Sequence, residues 1–267
     1  MHIVSISSLK GGVGKTSVTS GLASAALEAG LRTLVVDLDP HADLSTALGL
    51  PARRESSIGD LLKRPKRAVP ADHVRSSSWT ALASRAGSQD RPYRLDVLGG
   101  SAVSGVYDRP DLSRRDLRRL ETVLERAEGY DLALIDCPPS FSGLTRMAWT
   151  TSDDVVLVAE PGLFSVAGTE RTLRALRLFS REYAPGLVGR YVVANRVRED
   201  FSEHAYRIEE MREMFGDALL GTVLPEYHEW QQIQGAAYPV HQWPTAGARE
   251  AAQRFDTLLA EIRRNQA

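Results

Sequence analysis

Within seven residues, Lys10-Gly11-Gly12-Val13-Gly14-Lys15-Thr16 places three glycines and two lysines between an apolar run and a helix-forming run. Glycines at these positions let the backbone curl until successive N–H groups face one point. The helix that follows adds the partial positive charge of its N-terminus. Such a loop is built to cradle phosphates: Lys15 would reach the β- and γ-phosphates of a nucleoside triphosphate, and the Thr16 hydroxyl would ligate Mg²⁺. Lys10, at the other end of the loop, is the unusual member. It can be read as a solvated lysine, but a cation at the mouth also suits charge developing on a transferring phosphoryl group. It points awkwardly at the nucleotide of its own loop and fits better as a group supplied in trans, in the manner of an arginine finger. The chain holds only four lysines, at 10, 15, 63 and 66, and otherwise writes arginine for positive charge. Two of the four fall in this loop, where a compact point charge suits phosphate.

Carboxylates follow at two further places. Asp37-Leu38-Asp39-Pro40 ends an apolar run, and in a strand alternate side chains share a face. Asp39 is the candidate for orienting an attacking water; capping of the next helix is its structural alternative, a task Asp43 could also perform. Tyr130-Asp131-Leu132-Ala133-Leu134-Ile135-Asp136 is a second apolar run ending in a carboxylate, the Walker-B pattern, with Asp136 holding Mg²⁺ directly or through water. Cys137-Pro138-Pro139 then forces a rigid turn. Cys137, the sole cysteine, reads as a small buried residue without a redox role.

The elements that must position these groups are legible in the periodicity. Residues 2–7 read as a buried strand, Ser17 to Ala29 as a helix ended by Gly30, and Leu31 to Val36 as a second strand, which together make a βαβ unit. Further strands are expected at Arg94–Leu98, Tyr130–Asp136, Asp154–Glu160, Val188–Asn195 and Leu219–Leu224. Helices are expected at Asp111–Glu128, Val166–Arg181, Ala205–Phe215 and Ala246–Arg264. The stretch from Pro51 to about Arg91 is rich in Arg, Ser and Pro and reads as surface helices and loops, with a helical turn at Ile58–Leu62. This alternation predicts an α/β fold, a doubly wound, mostly parallel sheet with helices on both faces. With no repeat and no convincing linker, residues 1–267 read as a single domain.

Composition narrows the function classes. A net charge of −1 leaves no global pull toward nucleic acid, so any such binding must use a local patch. No apolar run approaches the roughly 20 residues of a membrane span, and Met1–Ile6 lacks the basic start of a signal peptide. One cysteine forms no internal disulfide, in keeping with a cytoplasmic setting.

With these motifs in this order and spacing, the chain resembles the ParA/Soj branch of the ParA–MinD ATPases, P-loop enzymes with a deviant Walker A. The motifs that carry the resemblance are Lys10 to Thr16, Asp37-Leu38-Asp39-Pro40 and Ile135-Asp136-Cys137-Pro138-Pro139-Ser140. The likeness runs nearly the whole chain and matches a short form without a helix-turn-helix leader. It implies ATP and Mg²⁺ as ligands, a nucleotide-binding set of Lys10, Gly11, Gly12, Val13, Gly14, Lys15, Thr16 and Ser17, and an adenine contact from Asn195. It also implies closure over the base by Thr222-Val223-Leu224-Pro225, with Mg²⁺ held around Thr16, Asp136 and Asp39. Catalysis would fall to Lys10, Lys15 and Asp39. The resemblance further implies an ATP-dependent sandwich homodimer in which Lys10 of each subunit reaches the other's phosphates. Hydrolysis would be slow and stimulated by a ParB-like centromere-binding or adaptor protein. The dimer would bind DNA without sequence preference, so that the ATP state sits on the nucleoid and the cycle segregates or positions a plasmid, chromosome or other cargo.

Some residues depart from the family's pattern. His41 stands where Gln is usual and Ser17 where Thr is usual. Glu226-Tyr227-His228-Glu229 follows Pro225 where arginines that contact DNA are common, and acids there repel phosphate. A basic surface would instead come from Arg196 and Arg198, from Arg171, Arg174 and Arg177 at three-residue spacing, or from Arg249, Arg254, Arg263 and Arg264. Each set also fits a solvated helix face. Among rival readings, a MinD-like membrane ATPase would need exposed apolar residues on its last helix. Phe255, Leu258, Leu259 and Ile262 recur here at core-facing spacing, so no stable membrane association is expected. A nitrogenase-iron-protein relative would need at least two cysteines per subunit. Metabolic relatives would need substrate motifs that this chain does not show. A ParA-like ATPase positioning a non-DNA cargo and a non-catalytic nucleotide scaffold remain as alternatives.

Overall fold

The computed structural model describes residues 1–50, 57–86 and 93–264. Their strands are β1 (His2–Ser7), β2 (Thr33–Asp37), β3 (Arg75–Ser76), β4 (Leu95–Leu98), β5 (Leu132–Asp136), β6 (Asp154–Ala159), β7 (Gly189–Val197) and β8 (Leu219–Pro225). They form one sheet in the order β3-β4-β2-β5-β1-β6-β7-β8. Every pairing is parallel except the antiparallel edge pair β3–β4.

Between the strands run α1 (Lys15–Glu28), α2 (Asp43–Ala47), α3 (Ile58–Lys63), α4 (Ser78–Ala86), α5 (Arg114–Leu117) and α6 (Arg119–Leu124). They are followed by α7 (Gly143–Thr151), α8 (Leu163–Tyr183), α9 (Ser202–Phe215), α10 (Trp230–Gly235) and α11 (Ala246–Arg263). The two faces of the sheet carry separate cores. Leu34, Val36 and Ile135 pack with α3 and α5 to α9, while Val35, Leu134 and Val156 pack with α1, α4 and α11. Central strands buried on both sides have no polar face to present, which is why they read as continuous apolar runs.

α1 and α11 approach so closely that a Cβ on Gly21 would overlap the Phe255 ring. Phe255, Leu258, Leu259 and Ile262 are all buried in this core. Phe255→Ala is therefore expected to lower stability by about 3–5 kcal/mol, read as a fall in the urea midpoint at unchanged slope. No helix among the described residues is long and apolar enough to cross a membrane.

The structure departs from the expected elements at several places, α10 among those not anticipated, and three have a clear physical reason. The helix expected over 111–128 is two short ones. Arg118, at φ −90° and ψ 9°, interrupts it, yet Leu117, Leu120, Val123 and Leu124 are all buried as their spacing demanded. α7 was not anticipated because Gly143, Thr145, Thr150 and Thr151 are weak helix formers behind a Pro-Pro turn. β3 is two residues long on an edge, too short to carry a period.

Candidate nucleotide site at the carboxyl ends of β1, β2, β5 and β6

β1 lies between β5 and β6; α1, which follows β1, packs on one face of the sheet and α7, which follows β5, on the other, so a crevice opens at the carboxyl ends of these neighbours. The glycine loop fills that crevice and ends in α1. Gly12 and Gly14 hold φ of 81° and 89°, the left-handed region, and Gly14 is the residue that starts α1. A Cβ on Gly14 would overlap the Asn195 amide, so glycine is required here twice over. Among the described residues, none of the backbone N–H groups from Gly11 to Ser17 donates to a protein acceptor. Inside this ring of free donors Lys15 is only 8% exposed, and its ammonium has neither an ion pair nor a hydrogen bond among the described residues. Buried charges are ordinarily paired; the complement of this one is an anion rich in acceptors.

The carboxylates of β2 and β5 close the floor. Thr16 Oγ1 donates to Asp136 Oδ2 at 2.8 Å and Thr19 Oγ1 to Oδ1 at 2.9 Å. Burial pushes Asp136 up to about 6, against the pull of Thr16, Thr19 and Lys15. Asp37 sits in register with Asp136. Ser45 donates to its Oδ2 through N at 2.9 Å and Oγ at 2.7 Å, but its buried Oδ1 has no partner. Burial first, and then the charge of Asp136, push Asp37 up to about 7. Two carboxylates short of positive charge beside a threonine hydroxyl form a hard oxygen donor set, and these residues fit Mg²⁺. Asp37 was missed as a member of this set; the signal available was its place at the end of β2, two residues before Asp39.

Asp39 stands half-buried at the mouth, and its Oδ1 accepts the His41 N–H at 3.0 Å. That bond holds the carboxylate at the crevice. α2 needs no side-chain cap from Asp43, since it starts from Ala42 in the left-handed region at φ 60°.

Lys10 is exposed at the opposite lip, with Nζ 3.6 Å from Glu160 Oε2. Glu160 also pairs with Arg196 at 3.0 Å, and Arg196 Nη1 donates to the Gly12 carbonyl at 2.6 Å. Arg196 was expected on a basic surface; instead it grips the loop. Glu160 was not singled out, although it ends an expected strand.

Beside the loop, Asn195 Nδ2 donates to Val13 O at 2.8 Å. A cleft of about 210 Å³ opens there, lined by Ser17, Asn195, Leu224, Pro225, Tyr227 and Trp230. Among the described residues Tyr227 Oη and Trp230 Nε1 are buried without hydrogen-bond partners, and Trp230 packs on Phe255 with ring centroids 5.3 Å apart. Of this lining, Trp230 was unanticipated because a lone tryptophan after a polar loop has no periodic neighbours.

Cys137 is fully buried, and burial, reinforced by Asp136, pushes its thiol well above the usual range. The native protein is expected to resist an aromatic disulfide reagent over minutes and to react with one equivalent in denaturant; fast native labelling would contradict this.

The remaining arginines singled out in the sequence are dispersed. Arg171, Arg174 and Arg177 are exposed on α8, with Arg174 paired to Glu170. Arg198 lies 4.3 Å over the Phe201 ring. On α11, Arg254 lies 3.7 Å from Glu250 and 3.9 Å from Glu199, and Arg249 Nε donates to the Thr245 carbonyl at 3.2 Å. Arg263 is half-buried and Arg264 exposed at its end.

A protein-family model described as an AAA domain matches residues 1–188. The chromosome partitioning protein ParA of Caulobacter vibrioides is 31% identical over 276 aligned residues, spanning 100% of this chain and 97% of that protein. The sporulation initiation inhibitor protein Soj of Bacillus subtilis is 30% identical, over 84% of this chain and 83% of that protein. Among solved structures, the septum site-determining protein MinD of Pyrococcus horikoshii, complexed with Mg-ADP, superposes with a TM-score of 0.75 at 25% identity. That superposition covers 100% of this chain and 97% of that one.

Proposed function

This chain belongs to the ParA/Soj family of partitioning ATPases, and we propose that it acts in the cytoplasm as an ATP-driven dimerisation switch. In this reading its slow, partner-stimulated hydrolysis segregates or positions DNA. The observation that carries the reading is the ring of free backbone donors from Gly11 to Ser17 around the buried, unpaired Lys15. An ATP polyphosphate satisfies both at once.

The whole chain serves as one domain with one site. The loop amides and Lys15 bind the β- and γ-phosphates, and Asn195, Pro225 and the Tyr227–Trp230 aromatics enclose the base. Thr16, Asp136 and Asp37 would hold Mg²⁺, directly or through water, with Asp39 alongside. When bound, that ion would neutralise charge developing on the phosphate oxygens. Asp39 orients the attacking water and accepts its proton. Lys10 reaches the γ-phosphate of a second subunit, so each site is completed only in the dimer. In the ATP state the dimer binds DNA without sequence preference and lies on the nucleoid, and a ParB-like partner accelerates turnover.

Mixing two inactive variants tests the in-trans assignment. Lys10→Ala removes the donated cation and Asp39→Ala the water-orienting carboxylate. If Lys10 acts across the dimer, one site of each mixed dimer keeps its own Asp39 and receives the other subunit's Lys10. An equal mixture then recovers about a quarter of wild-type turnover. If Lys10 acts on its own nucleotide, neither site is whole, and a mixture as inactive as its parts sinks the assignment.

A further inference from the structure

The two lysines outside the glycine loop, Lys63 and Lys66, belong to Lys63-Arg64-Pro65-Lys66-Arg67, in which four of five residues are cations. A second run, Arg114-Arg115-Asp116-Leu117-Arg118-Arg119, carries four more. The fold brings the two together. α3 packs against α6, and Arg119 Nη1 donates to the Leu62 carbonyl at 2.9 Å. Between them lies a cleft of about 510 Å³ whose walls are Lys63, Arg64, Lys66, Arg67, Arg115 and Arg119, with Pro65 the sole apolar residue lining it.

Two of the six cations are already committed, Lys63 to Asp60 at 2.9 Å and Arg119 to Asp116 at 2.6 Å. Arg64, Lys66, Arg67 and Arg115 are exposed and have no ion pair or hydrogen bond from their side chains among the described residues. The depression continues past Arg118 and Arg114, whose own acids are Glu121 and Glu182, to residues 150–153 and 185–186. Those residues precede β6 and β7, so the groove lies at the amino ends of the strands, away from the glycine loop.

We propose that this groove is the phosphodiester-binding surface of the protein, taking the backbone of duplex DNA, and that nucleotide controls it through valency rather than contact. The proposal rests on the DNA-binding reading above and assigns it a place. A protein partner would need apolar or aromatic anchors for its central contacts, and the cleft between the two cationic runs offers one proline. Leu117, Tyr183 and the acids Glu121, Asp153 and Glu182 enter only in its continuation, so the phosphate-binding part is the cleft itself. A polyphosphate backbone asks only for unpaired cations at phosphate spacing. The protein carries a net charge of −1 overall, so this surface is a local exception of the kind its composition required.

Nucleotide at the far edge of the sheet cannot touch bound DNA. ATP instead joins two subunits at their glycine loops and hence carries two grooves on the outer ends of the pair. A second attachment on one duplex long enough to reach both raises affinity by about 10²–10⁴ without any new contact. Four free cations per groove correspond to a slope of log affinity against log salt of about −3.6 for one subunit and about −7 for two.

The test measures fluorescence anisotropy of a labelled mixed-sequence duplex, long enough to reach both grooves of a dimer, across a KCl series, with ATP, ADP and no nucleotide. It compares wild type with the reversals Lys66→Glu/Arg67→Glu/Arg115→Glu and Arg171→Glu/Arg174→Glu/Arg177→Glu. Thermal midpoints and basal ATP turnover serve as controls, and Lys66→Gln/Arg67→Gln/Arg115→Gln stands in should the reversal not fold. The groove variant is expected to lose at least about tenfold in affinity and most of the salt slope, with basal turnover unchanged. The ATP state of wild type is expected to show about twice the slope of the ADP state.

If wild type binds DNA and the groove variants match it while the α8 variant fails, the groove assignment falls and the DNA-binding reading stands. If the slope is the same in all nucleotide states, control by valency falls. If wild type binds no DNA with any nucleotide, the broader reading falls with it. Loss of polyglutamate binding in the groove variants, with DNA binding intact, would reassign the surface to an acidic partner.

Discussion

Asp39→Ala protein is expected to bind ATP within a few-fold of wild type and to hydrolyse it about 10²–10⁴-fold more slowly, the range seen when a positioned proton acceptor is removed. Among the described residues the Asp39 carboxylate makes no hydrogen bond to the glycine loop or to the Thr16–Asp136 pair; its Oδ1 accepts the His41 N–H, and it stands at the mouth of the crevice. Truncating it therefore leaves the phosphate donors and the hard-oxygen floor in place. Equilibrium binding of a fluorescent ATP analogue and single-turnover hydrolysis separate the two effects. Lower affinity with unchanged chemistry would make Asp39 a binding residue, and an unchanged rate would remove it from the mechanism.

The second large effect is conformational. Gly14→Ala forces an L side chain into the left-handed region, which costs about 1–2 kcal/mol, and drives its Cβ into the Asn195 amide. Either the loop or Asn195 must move, and both belong to the nucleotide site. Loss of two charge-assisted amide–phosphate bonds, each about 1.5–3 kcal/mol, lowers ATP affinity more than about 100-fold. The thermal midpoint is expected to fall by roughly 5 °C.

Gly11→Ala is the contrast. Its φ is not positive and nothing lies within 4 Å of the added carbon. Stability should stay within about 0.5 kcal/mol of wild type. Affinity still falls, because that open space is where phosphate lies. Equal destabilisation by both substitutions would contradict this account.

How much of this was readable beforehand depended on whether a residue's role is local. The glycine loop, the Asp136 strand and the alternation of strands and helices were legible, because each is written in consecutive residues with a fixed period. Asn195 and Pro225 came through family resemblance, since nothing local in the sequence ties them to a loop 180 residues away. Glu160 and the new bearing of Arg196 were not legible, because their meaning is a three-way meeting of β6, β7 and the glycine loop. The convergence of residues 63–67 with 114–119 was hidden for the same reason. Each run alone looks like a solvated face, and only the packing of α3 on α6 makes them one surface. The expected continuous helix over 111–128 failed at Arg118 because apolar spacing reports which side chains go inward, not whether the backbone between them stays helical.

Glu160 gives Lys10 a resting place inside its own subunit. At 3.6 Å and half in solvent, that pair contributes less than about 1 kcal/mol. In the proposed dimer, a phosphate bearing two charges would outbid a single screened carboxylate, so the lysine would change counterion when a loaded neighbour arrives and return when phosphate departs. Arg196, fastened to the Gly12 carbonyl as well, stays behind and keeps Glu160 from becoming a lone charge at the seam. On the proposed cycle the lip of the site would work as a parking exchange held by a weak pair, leaving the pace of assembly to the supply of ATP and of second subunits.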